Sequence, residues 1–124
     1  MAWTLQSDRP IYAQLVERLK TEIVSGVYPP GGRLPSVREL AATASVNPNT
    51  MQKAFAELER TGLIITMRTS GRVVMEDTAM INETRRELAE EQISQFLTQM
   101  NNLGFDRAEI IAMLSEHKGG DSHE

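Results

Sequence analysis

Apolar residues recur with helical spacing from the first quarter of the chain onward. Ile11, Leu15, Leu19 and Ile23 stand four apart, which lines one face of a helix. This helix is predicted to open near Asp8 and Pro10 and to run to Ser25, with Gly26 as its C-terminal stop. "VYPPGGRLPS" follows. Its paired prolines and glycines exclude helix and mark a tight connector, and Leu34 before Pro35 is pushed toward extended backbone. A second helix is predicted from Ser36. Ser36 and Glu39 have capping-box spacing, and Val37, Leu40, Ala41 and Ala44 repeat at i, i+3, i+4, i+7. A third opens within "SVNPNTMQKAF". Pro48 suits the first helical position, where its φ is preset and its missing N–H would go unpaired anyway, and Asn47 before it is a good cap. Met51, Ala54, Phe55 and Leu58 then bury one face, and Gly62 closes the helix after Thr61.

The link around Ser45 and Val46 is too short for the second and third helices to lie side by side, so they meet steeply, as in a helix-turn-helix. "LIITM" and "RVVME" are β-favouring runs separated by "RTSG". They predict a β-hairpin whose tip carries Arg68 and Arg72. From Thr78 a long helical pattern carries Ile81, Leu88, Ile93, Phe96, Leu97 and Met100 among many charges, and Gly104 interrupts it. A last short helix opens at Asp106, at capping-box spacing from Glu109, and carries Ala108, Ile111, Ala112 and Leu114. The predicted fold is mainly α with a small β-hairpin. Residues 1–76 form a winged helix-turn-helix, and residues 77–124 form a short C-terminal helical hairpin. Two amphipathic helices alone leave apolar surface wet, and a second copy of the chain in a C2 dimer covers it. Ile81, Leu88, Ile93, Phe96, Leu97, Met100, Ile111 and Leu114 are the dimer positions this predicts; an effector pocket between the helices is the competing use of the same stripe.

At 124 residues and 40% hydrophobic content, the chain holds one modest core and an appendage. Cysteine is absent, which excludes disulfides and thiolate metal sites and suits a reducing cytoplasm. "MAWTLQSDRPIYAQL" has no signal-peptide pattern, and no apolar run approaches the ~18 to 20 residues of a membrane span. A cytoplasmic location without membrane contact is expected. The net charge of −4 argues against a polyanionic partner until the chain is divided. Residues 1–75 hold nine Lys/Arg against six Asp/Glu, a net +3, and residues 76–124 hold four against eleven, a net −7. The local field decides what approaches, so a polyanion meets the front half.

The leading turn of the third helix offers Asn49, Thr50, Gln52 and Lys53, all polar and one of them positive. In a winged helix-turn-helix this helix enters the B-DNA major groove, about 12 Å wide, with its N-terminal residues leading. Asn49 and Thr50 would meet base edges or phosphates and Lys53 a phosphate. Arg33, Arg38, Arg68 and Arg72 fall beside the second helix, the connector and the wing, places such a fold turns toward one duplex.

"LPSVRELAATASVNPNTMQKAFAELERTGLI", preceded by "YPPGGR" and followed by "TMRTSGRVV", resembles the DNA-binding domain of the GntR family of bacterial transcriptional regulators over roughly residues 8–75. The "NPNT" opening and the short C-terminal part resemble the YtrA-type subfamily, whose effector region is a helical hairpin used for dimerisation. The resemblance implies a DNA-binding role for Arg33, for Ser36 and Arg38 of the "LPSxRE" motif, for Asn49, Thr50 and Lys53, and for Ser70, Gly71 and Arg72 on the wing tip. Pro48 and Gln52 stand where some relatives have arginine, which implies weaker guanine reading by this helix or its supply from elsewhere. Thr69-Ser70-Gly71 replaces the usual "GxG" and leaves one glycine for a positive φ.

The expected partners are double-stranded operator DNA, a second copy of the chain and an unidentified small-molecule effector. No metal, cofactor or catalysis is expected. His117, His123 and Asp121 match no ligand spacing, and no nucleophile elbow or phosphate-binding loop occurs. The competing function is a winged-helix module that binds protein and no DNA, distinguished by its lack of salt-sensitive duplex binding.

Overall fold

The order of elements follows the hydrophobic pattern closely. The structure, a computed structural model, describes residues 3–118. They divide into two compact units, one ending at Arg86 and the other beginning at Glu87.

In the first unit helix α1 spans Ile11–Val24, α2 Val37–Ala44 and α3 Pro48–Arg60, followed by strands β1 (Ile64–Met67) and β2 (Gly71–Val74). Leu15, Leu19 and Ile23 of α1 are buried as their spacing predicts, while Ile11 is half-buried. Both α1 and α2 pack on α3, whose Met51, Ala54, Phe55 and Leu58 are fully buried. Burying a side chain such as Phe55 stabilises by about 1.5–3 kcal/mol, so this stripe fixes α3 in place. The one buried polar side chain among the described residues is Gln14. Its amide donates to the carbonyls of Gln6 (2.7 Å) and Arg9 (3.0 Å) and accepts from the Gln6 N–H (2.7 Å), which fastens the segment before α1.

Only Ser45, Val46 and Asn47 separate α2 from α3. Ser45 adopts φ 60°, ψ 47°, a left-handed conformation that lets the Val46 N–H reach the Ala41 carbonyl (3.0 Å) and the Ser45 N–H the Ala42 carbonyl (3.2 Å). These bonds satisfy the end of α2 as the chain turns.

The strands form an antiparallel hairpin with Ile64 opposite Val74 and Thr66 opposite Arg72. β2 is also held on its other side by the connector. The Gly31 N–H bonds the Val74 carbonyl (2.8 Å), the Val74 N–H the Gly32 carbonyl (2.8 Å) and the Leu34 N–H the Arg72 carbonyl (2.9 Å). The wing thus has β2 in its middle, protected from pairing with other chains.

Helix α4 spans Thr78–Asn102. Asp77 Oδ1 accepts from the N–H groups of Ala79 (3.0 Å) and Met80 (3.2 Å) and so caps it. Its first turns belong to the first unit, which ends at Arg86 and not at the expected residue 76. Ile81, expected at a dimer contact, is buried in that unit. The reason is its place in the first turn of the helix, which lies within the first unit, whereas Leu88, Ile93, Phe96, Leu97 and Met100 all lie in the second.

In the second unit Gly104 (φ 101°) ends α4. The Phe105 N–H bonds the Met100 carbonyl (3.2 Å) and the Gly104 N–H the Asn101 carbonyl (2.9 Å), a Schellman closure. Helix α5 spans Arg107–Glu116 and opens with the expected capping box between Asp106 and Glu109. Ile110 is its buried residue, at 1% exposure, while Ile111 and Leu114 are 55% and 57% exposed. The buried position of α5 is thus the residue before Ile111, and the two expected dimer positions, Ile111 and Leu114, face outward. Leu88, Leu97 and Met100 are half-buried, and Ile93 and Phe96 are exposed. Among the described residues no helix is long and apolar enough to cross a membrane.

Candidate nucleic-acid interface

Three local devices present the polar residues of the first unit. The first is the start of α3. Asn47 Oδ1 accepts the Asn49 N–H at 2.7 Å, and the Asn47 carbonyl accepts from Thr50 (3.0 Å) and Met51 (3.2 Å). Asn47 is therefore committed as the cap. Asn49, Gln52 and Lys53 are exposed and Thr50 is half-buried. Positive partial charge at a helix N-terminus favours anions there.

The second device is the start of α2. Ser36 Oγ accepts the Glu39 N–H (3.1 Å), and Glu39 Oε1 accepts the Ser36 N–H (2.8 Å). This capping box holds the first turn and leaves Arg38 exposed on it.

The third is the wing. Arg68, Thr69 and Ser70 make the loop, and Gly71 opens β2 with φ 77°, the positive value that its lack of a Cβ permits. Arg68 is exposed and Ser70 half-buried. Arg72 does not sit at the tip, as expected, but inside β2 opposite Thr66. Its guanidinium lies 5.1 Å from the centre of the Phe55 ring, and its Nε is 3.6 Å from Glu59 Oε2.

A cleft of about 560 Å³ brings together Arg33, Ser36, Gly71 and Arg72, with Tyr28 and Glu39 also on its walls. Partial burial, and then the Glu22 carboxylate, push the Tyr28 hydroxyl above its ordinary pKa, opposed by Arg18. Tyr28 is thus a neutral polar group at the rim. Asn49, Thr50 and Lys53 share the leading half of α3, apart from the residues that line the cleft.

The two carboxylates of α3 beyond Phe55 both have cationic neighbours. Glu57 accepts from Arg60 at 3.0 and 2.6 Å, a hydrogen bond that holds its carboxyl below the usual range. Glu59 takes the Thr66 hydroxyl and faces Arg72. The sequence pattern alone does not place Tyr28 or Glu59 in this region, but strand alternation carries a signal for Glu59. Arg72 lies on the same face of β2 as buried Val74, two residues on, so it points toward α3.

Among the described residues no group of three His, Asp or Glu is placed to hold a metal ion. Asp121 and His123 lie outside the described residues.

The chain matches the profile of "Bacterial regulatory proteins, gntR family" over residues 11–74. It is 37% identical over 106 residues to the HTH-type transcriptional regulator YhcF of Bacillus subtilis, covering 86% of this chain and 88% of that protein. It is 35% identical over 112 residues to the HTH-type transcriptional repressor YtrA of the same organism, covering 90% and 86%. Among solved structures it is similar to a GntR family transcriptional regulator from Listeria monocytogenes. The TM-score is 0.83 at 39% identity, covering 92% of this chain and all of the other.

Proposed function

This chain belongs to the gntR family of bacterial regulatory proteins, and from that premise we propose that it is a repressor that binds a palindromic operator as a homodimer. The family is one of regulators and not of enzymes. The proposed setting is the cytoplasm, where the operator lies, and an unidentified small-molecule effector releases the repressor.

The observation that carries this reading is the leading turn of α3. A three-residue turn delivers it, a buried stripe fixes it, and Asn49 and Lys53 remain exposed. Asn49 and Thr50 reach base edges or nearby phosphates, and Lys53 a phosphate. Arg38 and Ser36 at the start of α2, Arg33 on the connector, and Arg68, Ser70, Gly71 and Arg72 on the wing hold the flanking backbone. The second unit supplies dimer contacts through Leu88, Ile93, Phe96, Leu97, Met100, Ile111 and Leu114. Support for this comes from the exposure of Ile93, Phe96, Leu103, Ile111, Met113 and Leu114, an apolar surface that a second copy would cover.

Selection of duplexes from a random pool with the purified chain tests the proposal. Enrichment of two inverted half-sites about one helical turn apart is expected. An enriched site without an inverted repeat would remove the symmetric dimer, and a pool that never enriches would remove operator binding.

A further inference from the structure

The sequence predicts Arg72 as a surface arginine at the wing tip, yet its surroundings are those of a strut. Ile64 and Val74 form a buried cross-strand pair, and two residues along each strand Thr66 and Arg72 form the next pair on the same face. Side chains two apart in a strand share a face, so this pair meets α3. There it finds a single acceptor. Glu59 Oε2 takes the Thr66 hydroxyl and lies 3.6 Å from Arg72 Nε. Arg72 Nε is buried and makes no hydrogen bond, so the Glu59 charge is what compensates it. The flat guanidinium lies over the Phe55 ring one helical turn earlier on α3. The same residue also lines the cleft with Arg33, Ser36 and Gly71.

We propose that Glu59 is a positioning residue for DNA binding: one carboxylate oxygen ties both wing strands to α3 and aims Arg72 across Phe55 into the cleft, where it takes a backbone phosphate. This rests on the operator-binding reading above. It also makes a prediction opposite in sign to simple electrostatics. A carboxylate in a basic domain repels a polyanion, so its removal should tighten binding if Glu59 acts through charge alone. If Glu59 aims Arg72, its truncation weakens binding instead.

The test is a double-mutant cycle on the full chain, titrating a fluorescent duplex taken from the random-pool selection at several salt concentrations. Glu59→Ala is expected to weaken binding about threefold or more and to lower the salt slope by about one, as the loss of one phosphate contact does. Arg72→Ala should do the same, and the double variant should match Arg72→Ala. Glu59→Gln, which keeps an acceptor for Thr66 but removes the charge that faces Arg72, should recover only part of the binding that Glu59→Ala loses. Binding by Glu59→Ala as tight as wild type or tighter would overturn the proposal, as would effects of the two truncations that simply add. A wild-type chain that binds no duplex at low salt would instead overturn the operator reading, and the role of Glu59 with it.

A second readout needs neither DNA nor the alanine variant. By NMR, the Arg72 Nε–H of the wild-type chain should exchange with water about tenfold or more slowly than that of exposed Arg68, because the buried group opens only with the wing. Equal exchange would overturn the proposal even if Glu59→Ala fails to fold.

Discussion

The two units of this chain solve the problem of burial differently. The first closes on itself: Phe55, Leu15, Leu19, Met51 and Leu58 are all fully buried, and its polar residues are left to the surface. In the second, Ile110 is buried, but Leu103 is 72% exposed and Ile93 56%. A helix whose apolar stripe has no partner gains little from folding alone. Apolar residues in the first unit thus answer for stability, whereas those in the second leave an apolar surface that the proposed dimer would cover.

Substitutions can break that division. The largest expected effect is from Phe55→Ala, which opens a cavity beneath Arg72 and should cost about 3–5 kcal/mol in denaturant unfolding. Phe96→Ala in the second unit should cost less, about 1–2 kcal/mol in the dilute chain, because its ring is only partly buried there. It should nevertheless weaken self-association about tenfold or more in sedimentation equilibrium, since buried phenyl area is lost. Equal destabilisation by the two changes would erase the distinction. Next is Arg38→Ala on the polar surface of the first unit, expected to cost about 1–3 kcal/mol of operator affinity if it reads a base and less if it meets phosphate. Circular dichroism should be unchanged, and unchanged gel-shift affinity would remove Arg38 from the interface.

Smaller effects sharpen the account of the first unit. Ser45→Gly should stabilise it by about 0.5–1 kcal/mol, because relief of a left-handed backbone exceeds the entropy that glycine loses on folding. A lower melting temperature would show that the turn depends on the serine side chain. The smallest effect concerns alkaline pH. Tyr28 ionises later in the folded chain than in the unfolded one, so the stability it lends is complete below the unfolded pKa of about 10 and falls as pH rises through the folded value. Tyr28→Phe should flatten that alkaline decline in a pH series of melts.

Much of the first unit was legible because its signals are local. Asn47-Pro48 starts a helix, Ser36 and Glu39 close a capping box, and Gly62 ends α3, each through groups within a few residues. The link between Glu59 and Arg72 was not legible in the same way, since it joins a helix to a strand through tertiary packing. The sequence places Arg72 at the tip, whereas the loop is confined to residues 68–70 and Arg72 is already paired in β2. Along α4 the apolar residues form one pattern in the sequence, yet Ile81 is buried in the first unit while Leu88 and those after it belong to the second. In α5 the pattern marks Ile111 and Leu114 but not Ile110, whose burial is decided by packing that periodicity does not encode.

In the proposed function the exposed leading end of α3 binds a DNA duplex. Fluorescence anisotropy with the selected duplex, across salt from about 50 to 200 mM, tests it most directly. Affinity should fall steeply and linearly in log–log form, and Asn49→Ala should weaken the selected duplex more than a scrambled one. Duplex affinity that is indifferent to salt, or to the residue at position 49, would contradict it.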